Sequence, residues 1–186
     1  MNEVLKTIRD RRSVRSFRPE QITDDELKTI LEAGLYAPSG NNAQSWFFSA
    51  VQNPALIESI NGWIVDEARF SSHPKAQQIA TTPNSLIFRK APTVVIVSGQ
   101  KSDPLAAQNC ACAAQNMMLA AQSLGIGSCW ICYVEFLSTS KKLAEYRSAL
   151  RIPEGYDPFF GLTFGYKAEP DQPPQPRRKG VIALFR

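Results

Sequence analysis

The longest uncharged stretch of the chain places the strongest limit on its fold. No Asp, Glu, Lys or Arg occurs between Asp103 and Glu135, and residues 104–124 within this stretch have the alanine-rich composition of a long helix. Such a helix spans about 30 Å at a rise of about 1.5 Å per residue. A helix that is apolar nearly all round must be buried on nearly all sides. The rest of the chain therefore has to cover it.

Amide and serine side chains recur on this predicted helix every seven residues and form one narrow seam. They are Gln108 and Asn109, Gln115 and Asn116, and Gln122 and Ser123. A monomer of this size can bury one such helix at its centre. Alternatively, the small residues pack helix against helix across a two-fold axis, with the amide seam hydrogen-bonded inside the interface. We favour the second arrangement, which predicts a homodimer.

The remaining pattern alternates helices with short strands. Thr23 to Glu26 reads as a capping box that starts a helix, Pro38 ends that helix, and Asn53 with Pro54 starts another. Strands are predicted at 45–51, 92–98, 128–134 and 159–166, a helix at 138–150, and a strand-like apolar segment at 181–185. Residues 61–90 have a weaker pattern and are predicted to form helical pieces joined by mobile loops, where substrate-facing elements often lie.

Composition narrows the class of protein. The 186 residues are 44% hydrophobic and 20% charged, which is typical of one globular domain over residues 1–186. A formal net charge of +4 argues against a dedicated nucleic-acid binder but allows one anionic ligand. Residues 1–12 lack the apolar core of a signal peptide, and no apolar run is long enough for a bilayer. We therefore expect a cytoplasmic protein, with no membrane contact and with reduced thiols.

Two basic clusters are candidates for binding an anion. The first, Arg11-Arg12-Ser13-Val14-Arg15, contains three guanidinium groups and a hydroxyl within five residues. The second, Arg177-Arg178-Lys179, follows a proline-rich tail. Each guanidinium offers a planar fork of donors that suits phosphate or the edge of a heterocycle. A solvated basic patch is the alternative, and it is the better interpretation of one basic run taken alone.

Four motifs, in order and over essentially the whole chain, resemble the nitroreductase family of FMN-dependent oxidoreductases. They are residues 11–17, residues 37–46 (APSGNNAQSW), residues 125–130 (GIGSCW), and the late Arg-Arg-Lys after prolines. The resemblance implies an α+β, three-layer fold with a central, mostly antiparallel sheet flanked by helices. It also implies an intertwined homodimer with two FMN sites at the subunit interface, in agreement with the uncharged helix.

The resemblance also implies roles for individual residues in FMN binding. Arg11, Arg12, Ser13 and Arg15 match the flavin motif, with Arg11 and Ser13 at the phosphate and ribityl end and Arg15 beside the N1/O2 edge of the ring. A cation at that edge stabilises the negative charge that develops when hydride reaches N5. The other implied contacts are Pro38, Ser39, Gly40 and Asn41 from the second subunit, Asn84 near the pyrimidine edge, Ile126 and Gly127 near N5 through their backbone, and Arg177 and Arg178 at the phosphate. The pattern departs at Gln175, where many members carry a basic residue.

Several other residues have a structural explanation. Cys129 and Cys132 have the spacing of a thiol pair, but residues three apart on a strand point to opposite faces, and no ligand set completes a metal site. His73 is predicted at the surface, and Glu154 and Asp157 are predicted to be solvated caps. Trp46, Phe47 and Phe48 are predicted core residues, whereas Trp63 and Phe70 are candidates for lining a substrate pocket.

The predicted function is transfer of hydride from NADH or NADPH through FMN to a small acceptor, such as a nitroaromatic or a quinone, by a ping-pong mechanism. No catalytic side chain is required, because the cofactor carries the chemistry. Three alternatives remain open. They are other flavin chemistry on the same fold (dehalogenation, oxidation or flavin breakdown), a flavin carrier or sensor with little turnover, and nucleic-acid binding by the two basic clusters.

Overall fold

The structure is a computed structural model that describes residues 2–82 and 85–186. A four-stranded sheet lies at its centre. The strands are β1 (Trp46–Val51), β2 (Thr93–Gln100), β3 (Ile126–Ile131) and β4 (Tyr156–Tyr166). Their order across the sheet is β1-β2-β4-β3, and every neighbouring pair is antiparallel. The predicted antiparallel sheet of an α+β fold is therefore confirmed.

Helices cover both faces of the sheet. They are α1 (Glu3–Asp10), α2 (Asp24–Leu35), α3 (Pro54–Ala68), α4 (Pro74–Thr81), α5 (Ala106–Ser123) and α6 (Leu143–Leu150), with short 3-10 helices at Gly40–Asn42 and Cys132–Thr139. Within the described ranges, none of these helices is both long and apolar enough to cross a membrane.

The sheet separates two cores, which gives the predicted three layers. Alternate residues of β2 point to opposite faces, so that Val95 and Val97 join a core with α2 and α5, whereas Val94 and Ile96 join a core with α3, α6 and the 3-10 helix Cys132–Thr139. All four of these side chains are fully buried. Burial on both faces explains why β2 is a continuous apolar run in the sequence.

The uncharged helix α5 is buried mainly within its own chain. Its small residues Ala113 and Ala114 are fully buried in the core that α5 shares with α2 and the sheet. A Cβ atom at Gly34 would meet the side chain of Met117 at 2.9 Å. Glycine at position 34 therefore lets α2 approach α5 closely.

The prediction that the amide seam bonds across a subunit interface is wrong for Asn109 and Asn116. Asn109 is buried, accepts a hydrogen bond from the backbone N–H of Gly40 (3.0 Å) and donates to the hydroxyl of Ser45 (3.0 Å). Asn116 donates to the carbonyl of Ala33 (3.1 Å). Only part of the seam, including Gln108 and Gln115, faces outward. Heptad spacing alone could not separate inner from outer amides, because adjacent residues on a helix lie about 100° apart.

Some predicted boundaries shift because side chains cap or interrupt an element. The strand predicted at 128–134 ends at Ile131 and continues as the 3-10 helix, which buries Val134 and Leu137. The helix predicted at 138–150 begins only at Leu143, since the hydroxyl of Ser140 accepts from the N–H of Lys142 just before it. Residues 181–185 are exposed and form no strand within this chain.

Two predicted side-chain environments change in the structure. Asp157 is not a solvated cap, because it forms ion pairs with Arg147 (2.5 Å) and Lys101 (3.3 Å) and its side chain is 14% exposed. Trp63 stacks on Tyr146 in the second core, with ring centroids 4.8 Å apart, whereas Phe70 is exposed. His73 is exposed, as predicted, and its Nδ1 accepts from the N–H of Lys75.

The predicted capping box at α2 is confirmed, and it also ties α2 to β4. The Glu26 carboxylate accepts hydrogen bonds from the Thr23 N–H (2.7 Å) and from the Tyr166 hydroxyl (2.8 Å). The bond from the Thr23 backbone is the largest of the effects that lower the pKa of Glu26 below its usual 4.5.

We expect Glu26→Gln to lower the melting temperature at neutral pH, because a neutral amide accepts hydrogen bonds more weakly than a carboxylate does. The loss should be equivalent to roughly 1 kcal/mol, the difference between a charge-assisted and a neutral hydrogen bond. A depressed pKa in the folded state gives stability that is present above the unfolded pKa and is lost as the pH falls through the folded pKa. The difference between wild type and variant should therefore shrink below about pH 4.5. Melting curves across this range, with the exposed α2 variant Glu32→Gln as control, test the effect. A difference that does not depend on pH would contradict it.

Candidate functional site

A basic cleft lies between the N-terminal segment and the C-terminal tail. It has a volume of about 700 Å³ and is lined by residues 11–16 on one side and by residues of the tail between Glu169 and Arg177 on the other. This volume lies within the roughly 300–1,000 Å³ usual for ligand pockets. The structure thus brings Arg11, Arg12, Ser13, Arg15 and Arg177 together, although Arg177 is more than 160 positions away in sequence.

Backbone pairing with the edge of the sheet positions this cleft. Ser13 forms a parallel bridge with Ser128 of β3, and the N–H of Val14 donates to the Ser128 carbonyl (2.9 Å). Phe17 pairs with Lys167 just beyond β4, so the N-terminal segment and the start of the tail run side by side. A Cβ atom at Gly127 would meet the Val14 side chain at 2.9 Å. Glycine at position 127 therefore allows the N-terminal segment to lie directly against β3.

The arginines of this cleft differ in what they already bind. Arg12 donates to the carbonyls of Arg9 (2.6 Å), Arg11 (2.8 Å) and Gln172 (3.0 Å), so it fastens the tail to the N-terminal segment. Arg15 makes one long bond, to the Ser13 carbonyl (3.3 Å). Among the described residues, the Arg11 guanidinium has neither a hydrogen-bond partner nor a carboxylate within 4.0 Å. Arg11 is thus the cation best placed to bind a ligand.

The cleft keeps a positive balance despite two carboxylates in its lining. Glu169 and Asp171 lie on the tail side with Arg177, and the other side carries Arg11, Arg12 and Arg15. Asp171 is already paired with Lys167 (2.5 Å), whose ammonium also donates to Gln122 (3.2 Å). Because Asp171 is neutralised from outside the cleft, the remaining guanidinium groups face an anion-binding space.

A second cleft, of about 1050 Å³, shares Arg15 with the first. Its walls come from α4, from residues 85–89, and from the end of β3 with the following 3-10 helix, residues 129–136. The aromatic rings of Tyr133 and Phe136 are stacked in this wall, with centroids 6.0 Å apart. Arg15 therefore stands where a cationic cleft opens into one with aromatic walls.

Cys129 lies at this junction, where the nearby arginine charges affect the pKa of its thiol. Burial raises the pKa of its thiol, while the charges of Arg15, Arg89 and Arg11 act in the opposite direction. The raised pKa makes Cys129 a structural thiol, not a nucleophile. Cys132 is exposed and Cys129 is buried, in agreement with the prediction that the two diverge. Among the described residues, no group of three His, Cys, Asp or Glu side chains could hold a metal ion.

The loop Pro38–Asn41 does not line either cleft of its own chain. Asn41, Asn42 and Gln44 have positive φ angles of 52°, 54° and 47°, a conformation that costs energy for residues other than glycine. The Asn109 side chain and the Ser39 hydroxyl hold this backbone through bonds to the N–H groups of Gly40 and Gln44 (both 3.0 Å). The loop is thus a built, strained feature outside the basic cleft, and its predicted contact with flavin requires a second subunit.

The other predicted site residues that the structure describes line neither cleft. Ile126 and Gly127 are buried in β3, and the part of this strand that lines the second cleft is Cys129 to Ile131. Arg178 is exposed beyond the first cleft. Asn84 lies outside the described residues. The parts played by these residues in FMN binding stay predictions.

Sequence reasoning missed Lys75 and Arg89, which line the second cleft. Both fall in residues 61–90, where no periodicity marks a functional position. The positive φ of 56° at Arg89 is a conformational signal that the sequence does not reveal, because arginine is not typical of the left-handed region.

Fold and clefts together define a class: a three-layer α+β protein with a basic ligand-binding cleft beside the edge of its sheet. The model of the nitroreductase family matches residues 8–166, and the chain belongs to this family. The predicted family is therefore confirmed.

Known proteins are similar to this chain over nearly its whole length. An FMN-bound nitroreductase from Bacteroides fragilis is 37% identical, covers 100% of both chains and superposes with a TM-score of 0.94. A putative NADH dehydrogenase/NAD(P)H nitroreductase of Archaeoglobus fulgidus is 29% identical over 89% of this chain and 86% of its own length. An iodotyrosine deiodinase of Haliscomenobacter hydrossis is 25% identical over 94% of this chain and 84% of its own length.

Proposed function

We propose that this protein is an FMN-dependent oxidoreductase that transfers electrons from NADH or NADPH to a small acceptor such as a nitroaromatic or a quinone. The observation that carries the proposal is the basic cleft in which Arg11 has no partner among the described residues while Arg12 fixes the opposite wall. Membership of the nitroreductase family and the FMN-bound relative support it. Residues 1–186 would act as one FMN-binding domain.

The donors in the first cleft fit the phosphate of FMN. A phosphate needs permanent cations and hydroxyl or N–H donors, and the cleft offers Arg11, Ser13 and Arg177. We propose that these residues hold the phosphate and ribityl end, and that Arg178 closes on it. Arg12 would act differently, because its bonds to Gln172 and Arg9 position the tail on which Arg177 lies.

Arg15 would lie beside the flavin ring, at the opening between the two clefts. When bound, FMN supplies the redox chemistry by accepting hydride from the nicotinamide and passing electrons to the second substrate, so that both substrates use one pocket in turn. A guanidinium fixed beside the pyrimidine edge stabilises negative charge there without reorganisation. No side chain of the chain needs to act as an acid or base in the first half of the cycle.

The site would be completed by a second copy of the chain. Val4, Leu5 and Ile8 of α1 are 63%, 51% and 49% exposed, and the outward face of α5 carries no charge. An uncharged surface of this extent marks an interface. An intertwined homodimer would bury it together with the apolar residues 181–185, and would bring Pro38, Ser39, Gly40 and Asn41 of the second copy to the flavin.

Dehalogenation is the second candidate, because an iodotyrosine deiodinase is among the relatives. It would use the same cofactor and differ in the molecule that receives the electrons. Incubating the reduced protein with 3-iodotyrosine and measuring iodide separates the two activities.

The first prediction from this proposal concerns the colour of the purified protein. It should be yellow, and its flavin absorbance should bleach under anaerobic conditions when NADH or NADPH is added and return when a nitroaromatic or a quinone follows. Yellow protein that does not bleach would contradict the enzyme and leave a carrier or sensor. Colourless protein that added FMN does not restore would overturn FMN binding itself.

Substitutions at Arg11 and Arg15 should affect FMN binding and FMN reduction differently. Because Arg11 faces the phosphate end, Arg11→Ala should weaken FMN binding, by about tenfold or more for the loss of a charge-assisted contact. Arg15→Ala should slow flavin reduction in stopped-flow experiments more than it weakens FMN binding. Arg18→Ala, an exposed arginine outside the cleft lining, is the matched control. The reverse pattern in Arg11 and Arg15 would show that the assignment is wrong.

Gln115 tests the proposed dimer. It is exposed on the uncharged face of α5, so a carboxylate placed there should be buried without a partner at the interface. We expect Gln115→Glu to shift sedimentation from twice the chain mass of 20.7 kDa toward the monomer and to lower FMN occupancy with it. Gln77→Glu on the exposed face of α4 is the control. A wild-type protein that sediments as a monomer at micromolar concentration would contradict the proposed dimer.

A further inference from the structure

The second cleft contains two cations, Lys75 and Arg89, that the flavin-binding proposal does not use. Arg15, Lys75 and Arg89 line it, opposite one carboxylate, that of Glu135. Neither Lys75 nor Arg89 has a carboxylate within 4.0 Å among the residues that the structure describes. Unpaired cations that converge on a concave surface favour an anionic ligand.

Arg89 is held in place by buried anchors on both sides. Ile87, Phe88 and Ala91 are almost fully buried, so the turn that carries Arg89 is fixed to the second core. The Asn61 side chain clamps the entrance to this turn, since it donates to the Ser85 carbonyl (2.8 Å) and accepts from the Ile87 N–H (2.7 Å). A cation presented from such a fixed turn loses little freedom on binding.

The same cleft also supplies apolar contact. Tyr133 and Phe136 are half-buried and stacked, and Ile79 and Leu86 line the same cleft. The cleft therefore combines stacked aromatic side chains with cations. This combination suits a planar molecule that carries a negative charge.

We propose that the second cleft selects planar aromatic ligands that carry an anionic group, with Arg89 and Lys75 facing the anion and Tyr133 and Phe136 facing the ring. The inference rests on the proposed function, because it concerns the substrates of the same site. The anion has two sources, either the carboxylate of an aromatic acceptor or the 2′-phosphate that distinguishes NADPH from NADH.

The experiment compares two ligand pairs by calorimetric titration of the oxidised, FMN-loaded protein. In each pair, the charged member is the one that carries the additional anionic group. The acceptor pair is 4-nitrobenzoate and 4-nitrobenzamide. The cofactor pair is adenosine 2′,5′-bisphosphate and adenosine 5′-monophosphate. The variants are Arg89→Gln, Lys75→Gln and Glu135→Gln, with Lys28→Gln as matched control because its side chain is exposed on α2, outside both clefts.

We expect the wild type to prefer the charged member of one pair, and we expect Arg89→Gln to reduce that preference by about tenfold, as for the loss of a charge-assisted contact. Lys75→Gln should act in the same direction. Glu135→Gln should increase the preference, because it removes the one carboxylate of the lining, and Lys28→Gln should leave it unchanged. Preference within the acceptor pair identifies a carboxylated acceptor, and preference within the cofactor pair identifies NADPH.

Equal affinity for the members with and without the additional anionic group in both pairs would overturn the inference. A preference that survives in Arg89→Gln with an unchanged melting temperature would also overturn it. The titration needs no turnover, so it is independent of the proposed activity. If NADH and NADPH fail to bleach the flavin but the protein still prefers the charged ligand, the proposed enzyme activity is contradicted and the anion-selective cleft is supported. Normal bleaching without such a preference would contradict only the proposed selectivity of the second cleft.

Discussion

Backbone pairing between the N-terminal segment and β3 is the interaction on which the candidate site depends. The bridge from Ser13 to Ser128 and the bond from Val14 to the Ser128 carbonyl fix the arginine-rich segment to the edge of the sheet. This pairing is possible because residue 127 is glycine and leaves room for Val14. Without it, three arginines within five residues would repel one another as a solvated patch, which is the alternative that the sequence left open.

The same pairing joins distant parts of the chain into one charged surface. The tail begins after β4, beside Phe17, and Arg12 holds it through a hydrogen bond to the Gln172 carbonyl. As a result, Arg177 lines the same cleft as Arg11. Arg15 then connects this cleft with the aromatic-walled one beyond it. One side of the molecule thus combines a cationic cleft of about 700 Å³ with a larger cleft of about 1050 Å³ that has aromatic walls.

Much of the fold could be predicted because its signals are local. The capping box of Thr23 and Glu26, the Asn53-Pro54 helix start and the continuous β-branched run of β2 depend on neighbouring residues, and all three lie where the sequence predicts. Strand and helix ends near residues 131 and 143 were missed, since they depend on which side chains find space in the second core and on Ser140, whose hydroxyl donates to Glu67. Asp157 was also misjudged, because its partner Lys101 is distant in sequence.

Residue types and their order along the chain were enough to predict guanidinium groups for an anion, an uncharged helix that must be covered, and membership of the nitroreductase family through four motifs. Tertiary structure decided which of these side chains are already occupied. Arg12 binds carbonyls of its own chain, and Asn109 and Asn116 bond inside the subunit. The Arg11 guanidinium has no partner among the described residues. Tertiary structure also added Lys75 and Arg89 to the second cleft. The physical reason is that the charge and apolarity of a residue are fixed by its type, whereas its partners are fixed by contacts that only the folded chain makes.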